Sequence, residues 1–478
     1  MSIKNLKTES FVYGEWVSAV ESFPVLNPAT GEKICDVSNT NLSMLEDAIM
    51  KAKQAQILWA ETPTFERADI LLKWRDLIVQ NKDDLAHLLT TEQGKPLSES
   101  YAEIGRADNI RWAAEESVRL YDKIAPPFKR NIRAEILYQP MGIVAAITPW
   151  NFPHSMITRK VAPALAAGCA VILKPAEDTP LSALALADLA DKAGLPKGLF
   201  SVIPCARDRA AVIGEALLSD TRIAKLSFTG STVIGKKLMG LAAKTVKNIS
   251  LELGGNAPFI ITESADQTQA IKALIASKFR NAGQTCICAN RVYIHRKIFT
   301  EIKSKLQNEI DNMRMGNGMD EGTIIGPLIN PAACNKMDDL VADAKDKGAE
   351  IISSVSKPES GNFYSPTIIS NMTDEMKIMQ DEIFGPLLVL IPFETDDEVI
   401  RKANATNYGL AAYLHSRDTV QADKIARALD YGMVAVNESS FIHPSLPFGG
   451  MKESGIGREG GPDSLKEFLE AKYIVTGF

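Results

Sequence analysis

Short apolar segments alternate with helical patterns through the middle of the chain, from about residue 132 to residue 253. The apolar segments predict strands at Gly142–Ile147, Ala170–Leu173, Phe200–Ile203, Ala224–Phe228 and Ile249–Leu251. Apolar positions at helical spacing predict intervening helices at Pro153–Ala167, Leu181–Ala193, Asp208–Leu218 and Val233–Ala243. Strands that alternate with helices form a parallel sheet covered on both faces, so this region is predicted to be a doubly wound α/β domain.

The flanking regions predict further elements. A second α/β alternation begins at the strand Pro258–Ile261, continues through the helix Ala270–Arg280 and runs to Gly432–Asn437, which indicates a second domain. After a short β start, the first 120 residues are predicted to be mostly helical. The helices predicted there are one that starts at a capping box, Ser43–Glu46, and two others at about Phe65–Ile78 and Glu99–Tyr121.

Two apolar β segments, Ile132–Tyr138 and Tyr473–Gly477, have no obvious partner strand in either alternation. Unpaired strand edges of this kind are typical of strands that pair across subunits. The two segments therefore indicate a place where copies of the chain associate.

The composition is that of a large globular protein. The 478 residues are 45% apolar and 23% charged, and 53 basic against 59 acidic residues give a net charge of −6. At roughly 100 to 200 residues a domain, this length favours two to four domains. Mild acidity and the absence of a basic patch interleaved with aromatic residues argue against nucleic acid or an anionic membrane as a partner.

Nothing in the sequence predicts membrane insertion or export. The longest apolar run, Val161 to Leu173, is interrupted by Pro163 and Gly168 and falls short of the roughly 20 residues that span a bilayer. The first seven residues are polar and lack an apolar signal core. A cytoplasmic location is therefore predicted, and six cysteines without a Cys-x-x-Cys pair suit a reducing compartment.

Two glycine-rich strings resemble nucleotide-binding motifs but lack part of the chemistry. The string from Gly230 to Lys237 nearly has the P-loop spacing, yet Lys237 stands where a Ser or Thr must bind Mg²⁺, which argues against an ATPase. Gly230 and Ser231 still place backbone N–H groups at a helix N-terminus, which favours an anion, although an ordinary helix cap explains them equally. Gly455–Gly460 follows no adequate strand and is predicted to be a loop. Five isolated histidines predict no metal site.

Three polar side chains stand where α/β proteins carry their chemistry. Cys286 lies in a turn after a helix that ends near Gly283, but a loop cysteine is catalytic only when a base and an oxyanion donor accompany it. Glu252 ends an apolar strand between two leucines, where a charge is costly unless it is paired or used. Asn151 places an amide just past a strand end. Each also fits an ordinary turn, but together they predict a site.

Seven motifs in the chain resemble those of NAD(P)-dependent aldehyde dehydrogenases, in the order of that family and over nearly the whole chain. They are Thr-Pro-Trp-Asn-Phe-Pro at 148–153, Lys-Pro-Ala-Glu at 174–177, Phe-Thr-Gly-Ser at 228–231, Leu-Glu-Leu-Gly-Gly at 251–255, Gly-Gln-Thr-Cys at 283–286, Glu-Ile-Phe-Gly-Pro at 382–386 and Pro-Phe-Gly-Gly at 447–450.

The resemblance implies a catalytic role for each of the three polar side chains. Cys286 would attack the aldehyde carbonyl as a thiolate. The Asn151 amide and the Cys286 backbone N–H would hold the oxyanion. After hydride transfer, Glu252 would act as general base for the water that hydrolyses the thioester. Cys288 is predicted to be inert, although some relatives form a reversible disulfide at this position.

The resemblance also implies a cofactor site. The adenosine ribose would lie near Lys174 and Glu177, the pyrophosphate near Ser231, and the nicotinamide ribose near Glu382. Since a carboxylate accepts hydrogen bonds from a ribose 2′-hydroxyl and repels a 2′-phosphate, Glu177 favours NAD, while Lys174 leaves NADP possible. The full set of predicted cofactor-binding residues is Thr148, Trp150, Lys174, Glu177, Gly230, Ser231, Leu253, Glu382 and Phe384.

Within the family, the chain most resembles succinate-semialdehyde dehydrogenases, which use two arginines on the distal carboxylate of the substrate. Arg159 and Arg280 match them, and the less favoured alternative is that both form surface ion pairs. The serine that this subgroup also uses falls near Ile442, which cannot bind a carboxylate. Ser440 or Ser445 would substitute for it, or the pocket accepts 2-oxoglutarate semialdehyde, glutarate semialdehyde or another aldehyde.

The resemblance implies three parts of the chain. Residues 1–121 and 141–253 would form a Rossmann-type cofactor domain, and 254–450 a second α/β, catalytic domain. Residues 122–140 and 451–478 would form a small β oligomerisation element, which predicts a homodimer or homotetramer. Two other functions stay open: nucleotide hydrolysis at the Gly230 loop, and a silent binding or structural protein that keeps the fold.

Overall fold

A computed structural model describes residues 6–478, apart from the side chain of Arg106. The polar stretch Met1–Asn5, part of the argument against an export signal, lies outside the described residues. No helix in the described part of the chain is both long and apolar enough to cross a membrane.

Most of the strands belong to two large sheets. In chain order they are β1 (Ser10–Val12), β2 (Glu15–Val17), β3 (Ser22–Leu26), β4 (Lys33–Ser38), β5 (Lys123–Ala125), β6 (Ile132–Pro140), β7 (Ile143–Ile147), β8 (Ala170–Lys174), β9 (Phe200–Val202), β10 (Ile223–Thr229), β11 (Asn248–Glu252), β12 (Ala257–Ile261), β13 (Ala289–His295), β14 (Glu350–Ile352), β15 (Thr367–Ser370), β16 (Leu387–Phe393), β17 (Ala411–His415), β18 (Met433–Val436), β19 (Gly455–Ile456) and β20 (Leu469–Gly477).

The α-helices lie mainly between these strands. They are α1 (Leu42–Glu61), α2 (Thr64–Gln80), α3 (Lys82–Gln93), α4 (Leu97–Ile104), α5 (Asp108–Ser117), α6 (Pro153–Ala166), α7 (Pro180–Lys192), α8 (Ala210–Ser219), α9 (Thr232–Ala243), α10 (Gln267–Phe279), α11 (Phe299–Asp311), α12 (Pro331–Asp346), α13 (Lys377–Gln380), α14 (Asp396–Asn404) and α15 (Thr419–Ala428).

The first sheet has the strand order β19-β11-β10-β7-β8-β9-β1-β2. Its five middle strands, β9-β8-β7-β10-β11, are parallel and follow the doubly wound order 3-2-1-4-5. Every residue of β7 and β8 is buried, because helices pack on both faces of the sheet. The strand order reverses between β7 and β10, where ligands of such sheets bind. The predicted α/β sheet with a second α/β region is therefore confirmed.

The second sheet runs β14-β15-β16-β13-β12-β17-β18 and is parallel except for the β14 edge. It has a hydrophobic core of its own. A short antiparallel strand, β19, returns from the C-terminal part of the chain to pair with β11 of the first sheet. The glycine-rich string 455–460 is therefore a two-residue strand followed by turns, where a loop was predicted.

The two β segments without an obvious partner pair with each other. Strand β20 runs antiparallel to β6 along its whole length, from Leu469 opposite Pro140 to Gly477 opposite Ile132, and β5 pairs with the other edge of β6. These strands therefore find hydrogen-bonding partners within the chain itself. The outer face of β20 still exposes apolar side chains such as Tyr473, and association of copies through this sheet stays a prediction.

Two predictions in the N-terminal region were wrong. Helix α1 begins at Leu42, and its cap is Asn41, whose side chain accepts a hydrogen bond from Met44 N, so Ser43 lies inside the first turn. The predicted helix Glu99–Tyr121 is broken by a 3₁₀ turn, Gly105–Ala107, between α4 and α5. Gly105 removes the side chain that would favour a continuous helix, and the break redirects the chain so that α5 packs on α2 and α6.

Candidate active site

The loop after β7 carries the first polar group of the site. This loop, Thr148–Phe152, leaves the carboxyl end of β7 at the point where the strand order reverses, and α6 follows it from Pro153. The ring of Trp150 packs edge-on against Phe384, with centroids 5.5 Å apart. Asn151 is buried in the same loop.

A cavity of about 920 Å³ opens at these strand ends. Its volume falls within the ~300–1,000 Å³ typical of cofactor sites. The residues predicted from the sequence to bind the cofactor all line it, together with two of the catalytic candidates: Thr148, Trp150, Lys174, Glu177, Gly230, Ser231, Leu253, Glu382, Phe384, Asn151 and Cys286. Glu252, Arg159, Arg280, Ser440 and Ser445 do not line it.

Cys286 is half-buried at this cavity, in a turn with unusual backbone geometry. After α10, Asn281 and Ala282 adopt left-handed conformations with φ of 51° and 53°. Gly283 follows with φ of 78°, and a Cβ at this position would lie 2.3 Å from the Gly385 carbonyl oxygen. Only glycine fits so close an approach. Backbone strain of this kind, held by surrounding structure, is typical of functional turns.

The surroundings of Cys286 favour the neutral thiol over the thiolate. Burial raises its pKa to about 12, and the carboxyl groups of Glu382 and Glu252 act in the same direction, whereas Arg159 opposes them. Nucleophilic attack therefore requires that the thiol proton is first removed.

Both polar atoms of the Asn151 side chain have a partner. Its side-chain Nδ2 donates to the Gln284 carbonyl oxygen at 3.1 Å, and its Oδ1 accepts from the Phe152 backbone N–H at 3.1 Å. Gln284 lies two residues before Cys286, so the amide is fixed directly beside the cysteine turn. Gln284 O is the only partner of Nδ2 among the described residues, which leaves its second hydrogen for another acceptor.

Glu252 is buried at the end of β11, and its Oε2 has no hydrogen-bond partner in the described part of the chain. Burial raises the pKa of Glu252 well above its ordinary value, Glu459 adds to this effect, and Lys160 is the strongest of the cations that oppose it. Lys160 is itself buried and forms an ion pair with Glu459. The carboxyl group faces Gly449, where a Cβ would lie 2.8 Å from Oε1.

Arg159 is buried rather than part of a surface ion pair. Its guanidinium lies over the Phe448 ring at 4.5 Å, and its Nη1 has no hydrogen-bond partner among residues 6–478. Burial lowers the pKa of Arg159, and the fields of Glu459, Cys286 and Glu252 oppose that shift. The positive charge therefore lies close enough to the nucleophile to influence it.

Arg280 contacts the loop that carries Asn151. Its guanidinium lies 4.8 Å from the centre of the Phe152 ring. The positive charge of Arg280 also opposes the burial that raises the pKa of Glu99 on α4. Of the two predicted arginines, Arg280 thus contacts the loop that carries Asn151, and Arg159 contacts Phe448.

The two serine candidates make only local contacts. Ser445 Oγ lies 2.7 Å from His443 Nδ1, and the Ser440 backbone N–H donates to Glu438 at 2.8 Å. No hydrogen bond among the described residues joins either serine to an arginine. Phe441 and Ile442 instead pack against the core of the second sheet.

Glu177, which lines the cavity, is held in place by a cation. Arg207 Nε donates to Glu177 Oε1 at 2.7 Å, and the same guanidinium reaches Asp178 at 3.3 Å. Burial would raise the pKa of Glu177, but its backbone N–H, Lys174 and Arg207 outweigh burial and lower it. Glu177 is therefore a carboxylate that faces the cavity.

Sequence reasoning missed the buried charges that surround the site. Lys95 and Glu103 form an ion pair with neither side chain exposed, and Lys160 pairs with Glu459. A charged residue inside an apolar helical pattern was the available signal for Lys160, because all fourteen residues of α6 are buried. Among the described residues, no group of three His, Cys, Asp or Glu side chains is placed to hold a metal ion.

These features define a class of protein, the cofactor-dependent enzymes with a cysteine nucleophile. The sheet is doubly wound, the cavity at its switch point is large enough for a dinucleotide, and a cysteine lines that cavity. The comparisons with known proteins give the family. Residues 16–474 match the aldehyde dehydrogenase family, and the chain belongs to it. It is therefore an oxidoreductase.

Three known proteins show the extent of the similarity. Mitochondrial succinate-semialdehyde dehydrogenase of Homo sapiens is 46% identical over 480 residues, which cover 100% of this chain and 90% of that protein. The 3-sulfolactaldehyde dehydrogenase of Pseudomonas putida is 45% identical over 476 residues, 99% of this chain and 97% of that protein. The crystal structure of an NADP-dependent enzyme of E. coli, 44% identical, superposes with a TM-score of 0.97 over 99% of this chain and 98% of that one.

Proposed function

We propose that this enzyme oxidises an aldehyde with a distal anionic group to the acid, and that succinate semialdehyde is its substrate. The observation that carries the proposal is Arg159, whose buried guanidinium has an unpartnered nitrogen and lies in the field of Cys286 and Glu252. A buried cation without a partner is unfavourable unless a ligand supplies the anion. Arg280, which lies against the Phe152 ring, adds a second guanidinium fork.

In the first half of the proposed reaction, the Cys286 thiol releases its proton to solvent, and its sulfur then forms a bond to the aldehyde carbon as the carbon–oxygen π bond breaks and the carbonyl oxygen becomes an oxyanion. The free hydrogen of the Asn151 amide and the Cys286 backbone N–H hold this oxyanion, an arrangement that contributes about 2.7–4 kcal/mol per donor in comparable sites. NAD(P), when bound, supplies the hydride acceptor. Loss of hydride from the carbon leaves a thioester on Cys286.

In the second half, Glu252 accepts a proton from water, the water oxygen attacks the thioester carbon, and the carbon–sulfur bond breaks. The acid leaves, and the proton that Glu252 took from water passes to the leaving sulfur and restores the thiol. The unpartnered Oε2 of Glu252 provides the acceptor for that proton. Burial raises the pKa of Glu252 and so favours the neutral acid, whereas the field of Lys160 favours the carboxylate that acts as the base.

The residues around the cavity fit a dinucleotide. The first turn of α9, with Gly230 and Ser231 ahead of it, faces the cavity and offers backbone N–H groups to a pyrophosphate. Lys174, Glu177, Glu382 and Cys286 line the same cavity. We propose NAD as the preferred cofactor, because Glu177 is ionised and would repel a 2′-phosphate.

Replacing Glu177 by alanine is expected to move the cofactor preference toward NADP. The change removes the repulsive carboxylate and frees Arg207 Nε, so kcat/KM for NADP should rise about tenfold and that for NAD should fall, since one charge-assisted hydrogen bond is worth about 1.5–3 kcal/mol. Steady-state assays with both cofactors measure the ratio. In the matched double variant Glu177→Ala/Arg207→Ala the gain for NADP should disappear; an unchanged preference in both variants would contradict the role of Glu177.

The substrate proposal has one specific competitor. The relative from Pseudomonas putida is named for 3-sulfolactaldehyde, whose sulfonate offers the arginine forks oxygens in much the same way as a carboxylate does. Ile442 packs against the core where a hydroxyl would help to bind a carboxylate. A sulfonated aldehyde is therefore the second candidate, ahead of the longer semialdehydes.

Replacing Arg280 by alanine is expected to weaken the binding of anionic aldehydes more than that of neutral aldehydes. The variant should raise the KM for succinate semialdehyde about tenfold to a hundredfold, the loss expected for a charged hydrogen bond of about 1.5–3 kcal/mol, and leave the KM for butanal nearly unchanged. Arg280→Lys, which keeps the charge without the fork, should recover only part of the affinity. NADH formation with succinate semialdehyde, 3-sulfolactaldehyde and butanal measures this; equal effects on all three would refute an anion-binding role.

A further inference from the structure

Lys95 lies in the loop between α3 and α4 and its side chain is completely buried. Its ammonium donates to the Glu103 carboxylate and, at 2.7 Å, to the backbone carbonyl oxygen of Asn151. The same nitrogen lies 3.9 Å from the centre of the Phe152 ring. Lys95 therefore touches the loop of the site, although it does not line the cavity.

Lys95 and Asn281 hold the Asn151 peptide together. The Asn151 carbonyl oxygen accepts from Lys95 Nζ and, at 3.1 Å, from Asn281 Nδ2. Because the side-chain amide is bonded to Gln284 O, the residue is fixed at both its main chain and its side chain. The direction of the remaining amide hydrogen follows from these bonds.

Glu103, the ion-pair partner of Lys95, is itself fixed by hydrogen bonds. Glu103 accepts from the backbone N–H groups of His154 at 2.9 Å and Ser155 at 3.1 Å, in the first turn of α6. Phe152, the cap residue of α6, offers no side-chain hydrogen bond, so Glu103 supplies the cap from another element. The ammonium of Lys95 thus connects two groups at the start of α6. One is the Glu103 carboxylate, which is bonded to the first turn of α6, and the other is the Asn151 carbonyl oxygen, just before this helix.

The segment around Lys95 also supports the cysteine turn. Gln93 Nε2 donates to Asn281 Oδ1 at 2.9 Å, and Gln93 Oε1 accepts from the Lys95 backbone N–H at 3.1 Å. Asn281 is the left-handed residue that starts the turn toward Cys286. One buried network therefore fixes the amide and the nucleophile relative to each other.

We propose that Lys95 is a positioning residue that aims the Asn151 amide at the oxyanion through the Asn151 carbonyl. The role rests on the proposed function, because it requires that an oxyanion forms on a substrate bound to Cys286. Lys95 touches no reacting atom. Its removal should misdirect the amide while Glu103 keeps both helix N–H partners, so the carboxylate is not left without hydrogen bonds.

The first test compares Lys95→Met with Lys225→Met. Lys225 is the matched control, since it is buried, pairs with Glu467 at 3.4 Å and lies 5.3 Å from the Phe468 ring, without contact to the Asn151 loop. The readout is acylation of Cys286 by p-nitrophenyl acetate, in which sulfur attacks the ester carbon, an oxyanion forms and p-nitrophenolate leaves. Alkylation of Cys286 by iodoacetamide, which forms no oxyanion, is measured in parallel.

Lys95→Met should slow acylation about tenfold to a hundredfold, the range for a displaced or lost oxyanion donor, and leave alkylation within about twofold of wild type. Lys225→Met should change neither rate. Equal losses in both reactions would show that Lys95 only supports the fold, and an unchanged acylation rate would overturn the proposal.

A double-variant cycle with Asn151→Ala gives the second test. If Lys95 acts only through the Asn151 amide, Lys95→Met should slow acylation little further once that amide is gone. Additive losses would overturn the proposal. Should Lys95→Met fold poorly, Lys95→Met/Glu103→Gln removes both buried charges and keeps an oxygen for the helix N–H groups, and the same cycle applies to it.

The proposed function and the positioning role fail in different ways. If wild-type protein is not acylated at Cys286, the proposed chemistry is wrong and the role of Lys95 is wrong with it. If wild type is acylated and turns over aldehyde while Lys95→Met behaves like Lys225→Met, only the positioning role is wrong.

Discussion

Cys286→Ala is expected to lose aldehyde-dependent NADH formation almost completely, with kcat reduced by roughly 10⁴-fold or more. No other group in the cavity can form the thioester, because Cys286 is the only cysteine that lines it among the described residues. Without the covalent intermediate, hydride loss would have to occur from a hydrated aldehyde that no residue anchors. A steady-state assay at saturating NAD and succinate semialdehyde measures the loss.

Cys288→Ala is the matched control for this result. Cys288 lies two residues along the chain and is fully buried, and its sulfur contacts the Lys278 carbonyl oxygen at 3.6 Å rather than the cavity. Its replacement should leave kcat within about twofold of wild type, as is usual for a change away from the reacting atoms. Full activity in Cys286→Ala, or loss only in Cys288→Ala, would contradict the assignment of the nucleophile.

Glu252→Gln is expected to separate the two halves of the reaction. Glutamine keeps the size of the side chain but cannot take a proton from water, so thioester hydrolysis should slow about 10²–10⁴-fold. Thioester formation does not use this base to activate water, so the variant should release about one NADH per active site in a fast phase and then nearly stop. Rapid-mixing absorbance at the NADH band measures both phases.

The pH dependence of hydrolysis follows from the raised pKa of Glu252. Burial favours the neutral acid, so the carboxylate that activates water is lost as pH falls through that raised pKa and is gained as pH rises. Steady-state turnover of wild type should therefore increase as pH rises through the raised pKa of Glu252, and Glu252→Gln should lack that increase. Glu467→Gln, a carboxyl group that pairs with Lys225 outside the site, serves as control and should keep it.

The sequence predicted the fold and the catalytic candidates for a physical reason that the structure makes clear. Parallel strands end at one edge of the sheet, so polar residues that follow apolar strands, such as Asn151 and Glu252, must come near each other. The glycine at 283 indicated a tight turn before Cys286 in the same way. The motifs added the roles of these side chains, which stay predictions.

The features that the sequence did not predict depend on contacts between segments that are far apart in the chain. Nothing near Lys95 in the chain shows that its ammonium reaches Asn151, 56 residues later. The unpartnered state of Arg159 likewise follows from burial, which the sequence pattern of α6 does not reveal for a charged residue. Local propensity also misplaced the cap of α1, because Asn41 and Ser43 are both good caps and the choice depends on where the chain enters the helix.

Mass analysis of Cys286 in the Glu252→Gln variant, after mixing with NAD and succinate semialdehyde, detects the covalent intermediate itself. Because hydrolysis is blocked, we expect a succinyl thioester on the peptide that contains Cys286, in proportion to the NADH released in the fast phase. An acyl group on another residue, or NADH release with no acyl group on Cys286, would show that this thiol does not carry the substrate through oxidation.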